Sequence, residues 1–264
     1  MSKILIFIPM YRCEKQIPRV LARIAALGEE QKRFAEVLVV DNRSPDGSIA
    51  AARQALSKLS IPARVVRNCE NYSLGGSHKV AFQYAVEQGF DGVVVLHGDD
   101  QGDIADILPY LRSGETERYD SLLGSRFSKD SKLVNYSGFR IFGNRVFNAV
   151  FSLFTGKRVQ DLGAGLNYYK TSYLRSKFYL SFPNDLTFNV YLLLYGIYCK
   201  SVFRFFPLTW REEDQVSNAK LFSQTKRMLG LLIQYLFCRK RLFSRDGGGK
   251  DYRYEVMAEY LPEG

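Results

Sequence analysis

The sequence predicts an α/β fold, with a mostly parallel sheet flanked by helices on both faces. Three observations carry that reading. Short β-rich runs at residues 4–8, 37–40, 63–66, 92–96 and 121–123 alternate with helical patterns at 17–27, 48–59, 75–88 and 104–111. Strands alternating with helices of this length build parallel sheets covered on both sides. The runs are apolar at consecutive positions, as in Val93-Val94-Val95-Leu96, which suits strands buried on both faces. Four of the runs also end abruptly in polar or charged clusters, and in such sheets ligands sit at the carboxyl ends of strands.

The first run is too short for a signal peptide and reads as a buried strand. The second half is less regular. A helix over 137–155 precedes a strand at 166–170, a helix at 185–195 and strands within 201–210. The apolar stretch 188–206 is interrupted by Asn189, Lys200 and Arg204 and divided by Gly196, so it reads as helix then strand rather than a membrane span. Residues 211–220 are polar and loop-like. Residues 221–241 form an amphipathic pattern ending in Arg239-Lys240-Arg241. One domain is expected over residues 1–240, divided at residue 125. A basic, flexible tail containing Gly247-Gly248-Gly249 is expected over 241–264.

Thirty-seven Lys and Arg against 27 Asp and Glu give a net charge of +10 and favour an anionic partner. No basic run that would track a nucleic-acid backbone appears before the C-terminal segment. Phosphorylated ligands and a membrane surface are therefore expected, and nucleic acid is not. Cys13, Cys69, Cys199 and Cys238 form no CxxC pair, which suits buried thiols in a reducing, cytoplasmic setting rather than a disulfide framework or zinc site.

The segment His97-Gly98-Asp99-Asp100-Gln101 brings acidic and amide oxygens to the end of a buried run. Clustered acids repel unless solvated or bridged by a cation, and oxygen ligands of this kind suit Mg²⁺ or Mn²⁺ shared with a diphosphate. They read equally as caps of the helix that begins near Ile104. Asp41, directly at a strand end, suits ribose or base contacts. Asp46 suits a turn or cap. Gly75-Gly76-Ser77 at a helix start is a weak anion cradle. Arg126, Arg140, Arg145, Arg211 and Lys220 are available for phosphate, since Arg offers a forked donor set. Trp210 suits either a sugar platform or the core. No Ser/His/Asp arrangement or zinc motif stands out.

Taken in order, these segments resemble the family 2 inverting glycosyltransferases of the GT-A, Rossmann-like fold, over residues 4–220. The resemblance rests on Ile8-Pro9-Met10-Tyr11, on Val39-Val40-Asp41-Asn42 with Ser44 and Asp46-Gly47-Ser48, and on the strand ending in the acid cluster. Gly124-Ser125-Arg126-Phe127, the Arg140/Asn144/Asn148 spacing and Asp161-Leu162-Gly163-Ala164-Gly165 are similar to the polyprenyl-phosphate group that includes dolichol-phosphate mannose synthases. Three positions depart from that pattern: His97 stands where the group has its first metal-site Asp, Asn144 replaces Ser, and Ala164-Gly165-Leu166 replaces Ser-Gly-Phe.

The resemblance implies a nucleotide-sugar and metal half over 1–125 and an acceptor half over 126–240. It implies that Pro9, Tyr11, Asp41 and Asp100 contact the nucleotide, and that Arg211 and Lys220 close over the donor diphosphate. It assigns Asp99, Gln101 and His97 to the metal, and Arg126 and Arg140 to an acceptor phosphate. Asp161, ahead of Asp185, is the base if the acceptor is instead a hydroxyl of a lipid-linked or surface glycan. The helix over 221–241 is expected to dock on an anionic membrane at its cytoplasmic face, pack on the domain or form a homo-oligomer.

Overall fold

The computed structural model describes residues 2–214, 221–244 and 250–262, apart from the side chains of residues 221–224. Strands β1 (Ile4–Met10), β2 (Glu36–Asp41), β3 (Ala63–Asn68) and β4 (Gly92–Leu96) alternate with helices α1 (Ile17–Ala25), α2 (Ser48–Leu56) and α3 (Ser73–Glu87). Two short helices, α4 (Leu108–Arg112) and α5 (Glu115–Arg118), lead to β5 (Ser121–Ser125). There follow β6 (Lys132–Val134), α6 (Gly138–Thr155), β7 (Leu166–Lys170), α7 (Thr171–Leu174) and α8 (Phe188–Tyr198). The chain continues through β8 (Phe203–Pro207), β9 (Thr209–Arg211), α9 (Leu221–Phe237) and α10 (Arg239–Phe243) to β10 (Tyr254–Tyr260).

Eight strands form one sheet in the order β10-β3-β2-β1-β4-β7-β5-β8, and β6 pairs with β9 in a small second sheet. The block β3-β2-β1-β4 is parallel, as the alternation predicts. β7 then enters antiparallel between β4 and β5, and β8 pairs parallel with β5. Gly92 makes room for that insertion, since a Cβ there would collide with the Tyr168 ring on β7.

Because successive strand residues point to opposite faces, β1 feeds two cores at once. Leu5 and Phe7 join Leu38, Val40, Val93 and Val95 beneath α3 and α8, whereas Ile4, Ile6 and Ile8 join Val37, Val39, Val94 and Leu96 beneath α1 and α2. Helix α8 is apolar around most of its circumference because it is enclosed, with Phe188, Leu194 and Ile197 all buried. Among the described residues, no helix is long and apolar enough to cross a membrane.

The C-terminal segment departs from the expected flexible tail. Tyr254–Tyr260 pairs antiparallel with β3, with an irregularity between Val256 and Ala258, and so covers an edge that would otherwise expose unpaired amides. Tyr252 is buried beside Tyr72, with ring centroids 5.2 Å apart. Its hydroxyl is also 3.1 Å from the buried Lys79 Nζ. The Gly247-Gly248-Gly249 part of that expectation lies outside the described residues.

Candidate active site

The carboxyl ends of β1, β2 and β4 meet at one edge. Met10 is in register with Asp41, the Asn42 amide donates to the Met10 carbonyl at 2.9 Å, and the Gly98 amide donates to the Pro9 carbonyl at 3.1 Å. After each strand of the block β1 to β4 comes a non-glycine residue in the left-handed region: Arg12 (φ 56°), Arg43 (φ 62°), Ser73 at the start of α3 (φ 60°) and Asp100 (φ 61°). Each costs of order 1 kcal/mol or more, so the surrounding contacts must hold it there. Such conformations concentrate where function fixes the backbone.

Asp41 is fully buried at the end of β2. Its two oxygens accept from the Ser44 amide at 3.1 and 3.2 Å, and Oδ2 lies 3.4 Å from Arg67 Nε. Ser44 Oγ accepts from the Arg12 amide, and Ser48 Oγ from the Cys13 amide, so the β2 loop holds the β1 loop that carries Tyr11. Asp46 is a cap, accepting from the Ser48 amide and hydroxyl. Burial pushes the Cys13 thiol up to about 12, which leaves it unreactive.

The acid turn after β4 sorts its carboxylates. Asp103 takes the helix-cap role, accepting from the Ala105 amide at 3.1 Å. Asp100, expected at the nucleotide, turns the other way. It is buried, and its two oxygens bind Arg19 Nε at 2.7 Å and Arg23 Nε at 2.8 Å. Those arginines lie one turn apart on α1, so an i, i+4 pair on an amphipathic helix was the available signal for the partnership. Asp99 remains at the strand end with His97. Burial raises the Asp99 carboxyl above the usual carboxylate range, although His97 opposes the shift. Burial likewise lowers His97, against the pull of Asp99.

His97 Nε2 is buried and has no hydrogen-bond partner among the described residues. Its ring lies on Gly165, where a Cβ would stand 2.9 Å from the imidazole, and its amide donates to the Gly165 carbonyl. The backbone of Gln101 accepts from the Arg211 amide at 2.9 Å. Among the described residues no group of three or more His, Cys, Asp or Glu converges on a point. A cation here would have a histidine nitrogen, a carboxylate and an amide oxygen from the protein. That partial set fits a metal completed by a ligand's diphosphate oxygens.

The second cluster is built around Arg126, which is 9% exposed. Its Nε and Nη2 bind Asp161 at 2.8 and 2.7 Å, and its own amide donates to the same carboxylate at 2.9 Å. The Gly163 amide donates to Asp161 as well, at 3.0 Å. Each Asp161 oxygen thus accepts two donors, and the expected role as a general base is corrected: this carboxylate orients Arg126. The guanidinium lies over Trp210 at 5.1 Å and Phe127 at 5.3 Å. Trp210 is a buried platform for Arg126 rather than an open sugar surface.

Arg140 on α6 lies over Tyr136 at 4.7 Å and binds both Glu212 oxygens at 2.6 and 2.7 Å. Asp185 caps Thr187 and pairs with Arg227 at 3.1 Å, so it too is employed structurally. The two clusters adjoin. Trp210 bridges to Gly102 beside the acid turn, while Arg211 Nη2 binds Asp103 at 3.1 Å and Nη1 is buried with no partner among the described residues. Lys220 lies outside the described residues.

The Gly75-Gly76 cradle is not formed. The Gly75 amide donates to the Asn184 carbonyl at 2.7 Å, and a Cβ on Gly75 would stand 2.8 Å from the Pro183 carbonyl oxygen. Gly75 permits close packing of α3 against residues 183–188, and Gly76 permits it against Tyr72 and Tyr252. Glu212, Arg19, Arg23 and Arg67 were absent from the sequence reading because each acquires its role from a partner distant in sequence, whereas Tyr136, also absent, gains its role from the nearby Arg126 and Arg140.

A mixed sheet with its strand-end loops gathered on the β1, β2 and β4 side, and an acid turn facing a cluster of locked arginines, defines a nucleotide-sugar transferase fold of the GT-A kind. The model of glycosyl transferase family 2 matches residues 5–180, and the chain belongs to that family. It is 28% identical over 175 residues to an undecaprenyl-phosphate mannosyltransferase of Micrococcus luteus, covering 66% of this chain and 69% of the relative. It is 22% identical to a polyprenol monophosphomannose synthase of Mycolicibacterium smegmatis, covering 66% and 63% of the two chains. It is 28% identical to an undecaprenyl-phosphate 4-deoxy-4-formamido-L-arabinose transferase of Sodalis glossinidius, covering 64% and 49%. The match therefore spans from about half to about two thirds of these relatives' lengths. Among solved structures, glucosyl-3-phosphoglycerate synthase from Mycobacterium tuberculosis superposes with a TM-score of 0.62 at 16% identity, covering 99% of this chain and 90% of that one. S. aureus TarS superposes at 0.59 and 18%, covering 88% and 67%.

Proposed function

We propose that this protein transfers a sugar from a nucleoside-diphosphate sugar to the phosphate of a polyprenyl-phosphate lipid, with inversion at the anomeric carbon. The observation that carries the reading is Arg126, buried, locked by Asp161 and stacked among aromatics beside the acid turn. That is a cation positioned for a phosphate before any ligand arrives. The names of the curated relatives support the same acceptor class.

In the proposed step an oxygen of the lipid phosphate attacks the anomeric carbon. The bond from that carbon to the donor diphosphate breaks, and the nucleoside diphosphate leaves with the electron pair. The nucleophile is already anionic at neutral pH, so no proton must be removed. This agrees with an Asp161 whose oxygens are fully engaged. Asp41 and the Pro9–Tyr11 segment hold the nucleoside end. Arg211, whose Nη1 has no hydrogen-bond partner among the described residues, is assigned to the diphosphate, and Lys220 is assigned there with it from the sequence resemblance.

His97, Asp99 and Gln101 hold a divalent cation, Mg²⁺ or Mn²⁺, which when bound neutralises charge on the departing diphosphate. The lowered pKa of His97 keeps its ring neutral and available as a ligand at physiological pH. A nitrogen ligand favours Mn²⁺ over Mg²⁺ at this site. The enzyme acts on the cytoplasmic face of a membrane, where such a donor and acceptor meet.

The test is nucleoside diphosphate release by purified protein given uridine and guanosine diphosphate sugars, Mg²⁺ or Mn²⁺, and short-chain polyprenyl phosphate. Metal-dependent release that requires the lipid phosphate is expected. Release only with a saccharide acceptor would move the reaction to a hydroxyl, and donor binding without release would make the chain a non-catalytic sugar-nucleotide binder.

A further inference from the structure

Helices α6 and α9 pack against each other beside the Arg126 cluster, yet each leaves an apolar stripe uncovered. On α6, Phe139, Phe142, Val146 and Leu153 recur at spacings of three, four and seven, which places them on one helix face. Phe139 is 82% exposed, Phe142 68% and Leu153 76%. On α9, Leu229, Ile233 and Phe237 recur every four residues, and Phe237 is 81% exposed. The opposite faces are accounted for, with Phe151 of α6 and Leu231, Leu232 and Tyr235 of α9 in the core. A soluble surface rarely leaves so many large side chains in water along adjoining helices.

Charge identifies the occupant. Residues 138–158 and 221–244 together contain nine Lys and Arg and no Asp or Glu. Arg140 and Arg227 pair with Glu212 and Asp185, and a second copy apposed through the same face would still bring the other seven cations of each copy together with no acid from those segments to answer them. An anionic bilayer supplies the missing charge and accepts the aromatic rings at its headgroup boundary.

We infer that α6 and α9 form a membrane-inserting face that seats the enzyme on anionic lipid, the exposed phenylalanines entering the interface and the basic residues contacting headgroups. The inference rests on the lipid acceptor proposed above and adds the geometry of access. Arg140 follows Phe139 on α6 and touches Tyr136, which also contacts Arg126. Seating α6 in the interface thus brings both arginines to the depth of lipid phosphates, so that the acceptor need not leave the bilayer.

The test uses flotation with phosphatidylcholine vesicles, with and without phosphatidylglycerol and without any polyprenyl phosphate. The full chain is expected to float with the anionic vesicles. The triple variant Phe139→Ser/Phe142→Ser/Phe237→Ser should bind them on the order of tenfold less or weaker, because three exposed rings no longer enter the interface. Its thermal midpoint and its turnover of a short-chain, water-soluble acceptor should be retained. Equal vesicle binding by the variant, or none by the parent chain, would overturn the inference. So would a dimer in sedimentation that the same substitutions dissociate. Vesicle binding without any sugar transfer would sink the proposed function and leave this face standing.

Discussion

At the acid turn, His97 and Asp99 are held where burial works against both of their charged forms, and one imidazole nitrogen has no partner among the described residues. In the adjoining cluster, Arg126 and Asp161 satisfy each other through paired hydrogen bonds, and Arg140 and Glu212 do the same. The contrast suits two different tasks. A site that receives a cation together with its substrate gains by being incomplete. A site that must hold an anionic nucleophile in line gains by having its guanidinium oriented in advance.

The strongest way to break this contrast is at the incomplete site. Asp99→Asn should lower sugar transfer by about a thousandfold, the scale of removing leaving-group stabilisation. Metal-dependent donor binding, followed by calorimetry, should disappear with it. Retained metal-dependent binding would show that the cation sits elsewhere.

At the completed site the loss should appear in stability. Asp161→Asn leaves the buried Arg126 charge without its carboxylate, which costs about 3–5 kcal/mol. The thermal midpoint should fall by roughly 10 °C for a chain of this size. The residual activity with polyprenyl phosphate should keep the parent pH profile; a lost acid limb, where a base would be protonated, would restore Asp161 as a base.

His78 sharpens the same comparison through pH. It lies behind His97, with ring centroids 6.0 Å apart, and burial pushes it down to about 3. Between pH 6.5 and about 3 the unfolded chain takes up a proton that the folded chain does not. Stability is therefore lost as pH falls through that window. His78→Phe should flatten the acid limb of urea stability, by up to about 5 kcal/mol across the whole window. An unchanged slope would mean that this ring titrates normally.

The smallest effect is expected at Asp100. Its partners are each about a third exposed, so Asp100→Asn should cost only about 1 kcal/mol. The Michaelis constant for donor should rise a few-fold, through a looser acid turn. A loss as large as that of Asp99→Asn would return Asp100 to the ligand set.

The parallel block was legible because fully buried strands read as continuous apolar runs, and the strand-end clusters of Asp41 and Asp99 followed from it. β7 was legible as a strand but not as an antiparallel insertion, since nothing in Leu166–Lys170 encodes its neighbours. β10 was missed because Tyr254–Tyr260 is a short edge strand with two glutamates behind three glycines, a pattern shared with solvated tails. At the site, residue type revealed which side chains carry charge but not which charges answer one another. Asp100 was therefore given to the nucleotide, and Asp161 to base catalysis on a hydroxyl acceptor, when the fold pairs them with Arg19, Arg23 and Arg126. The Gly75-Gly76 reading failed for a related reason: a helix start is an anion site only if it is open, and Asn184 closes this one.

The most direct measurement is the linkage of the product formed from radiolabelled nucleotide sugar and polyprenyl phosphate. The account predicts metal-dependent transfer of label to the lipid, released as free sugar by mild acid, as a sugar-phosphate bond requires. Label held in an acid-stable glycosidic linkage, with no transfer to lipid phosphate, would contradict it.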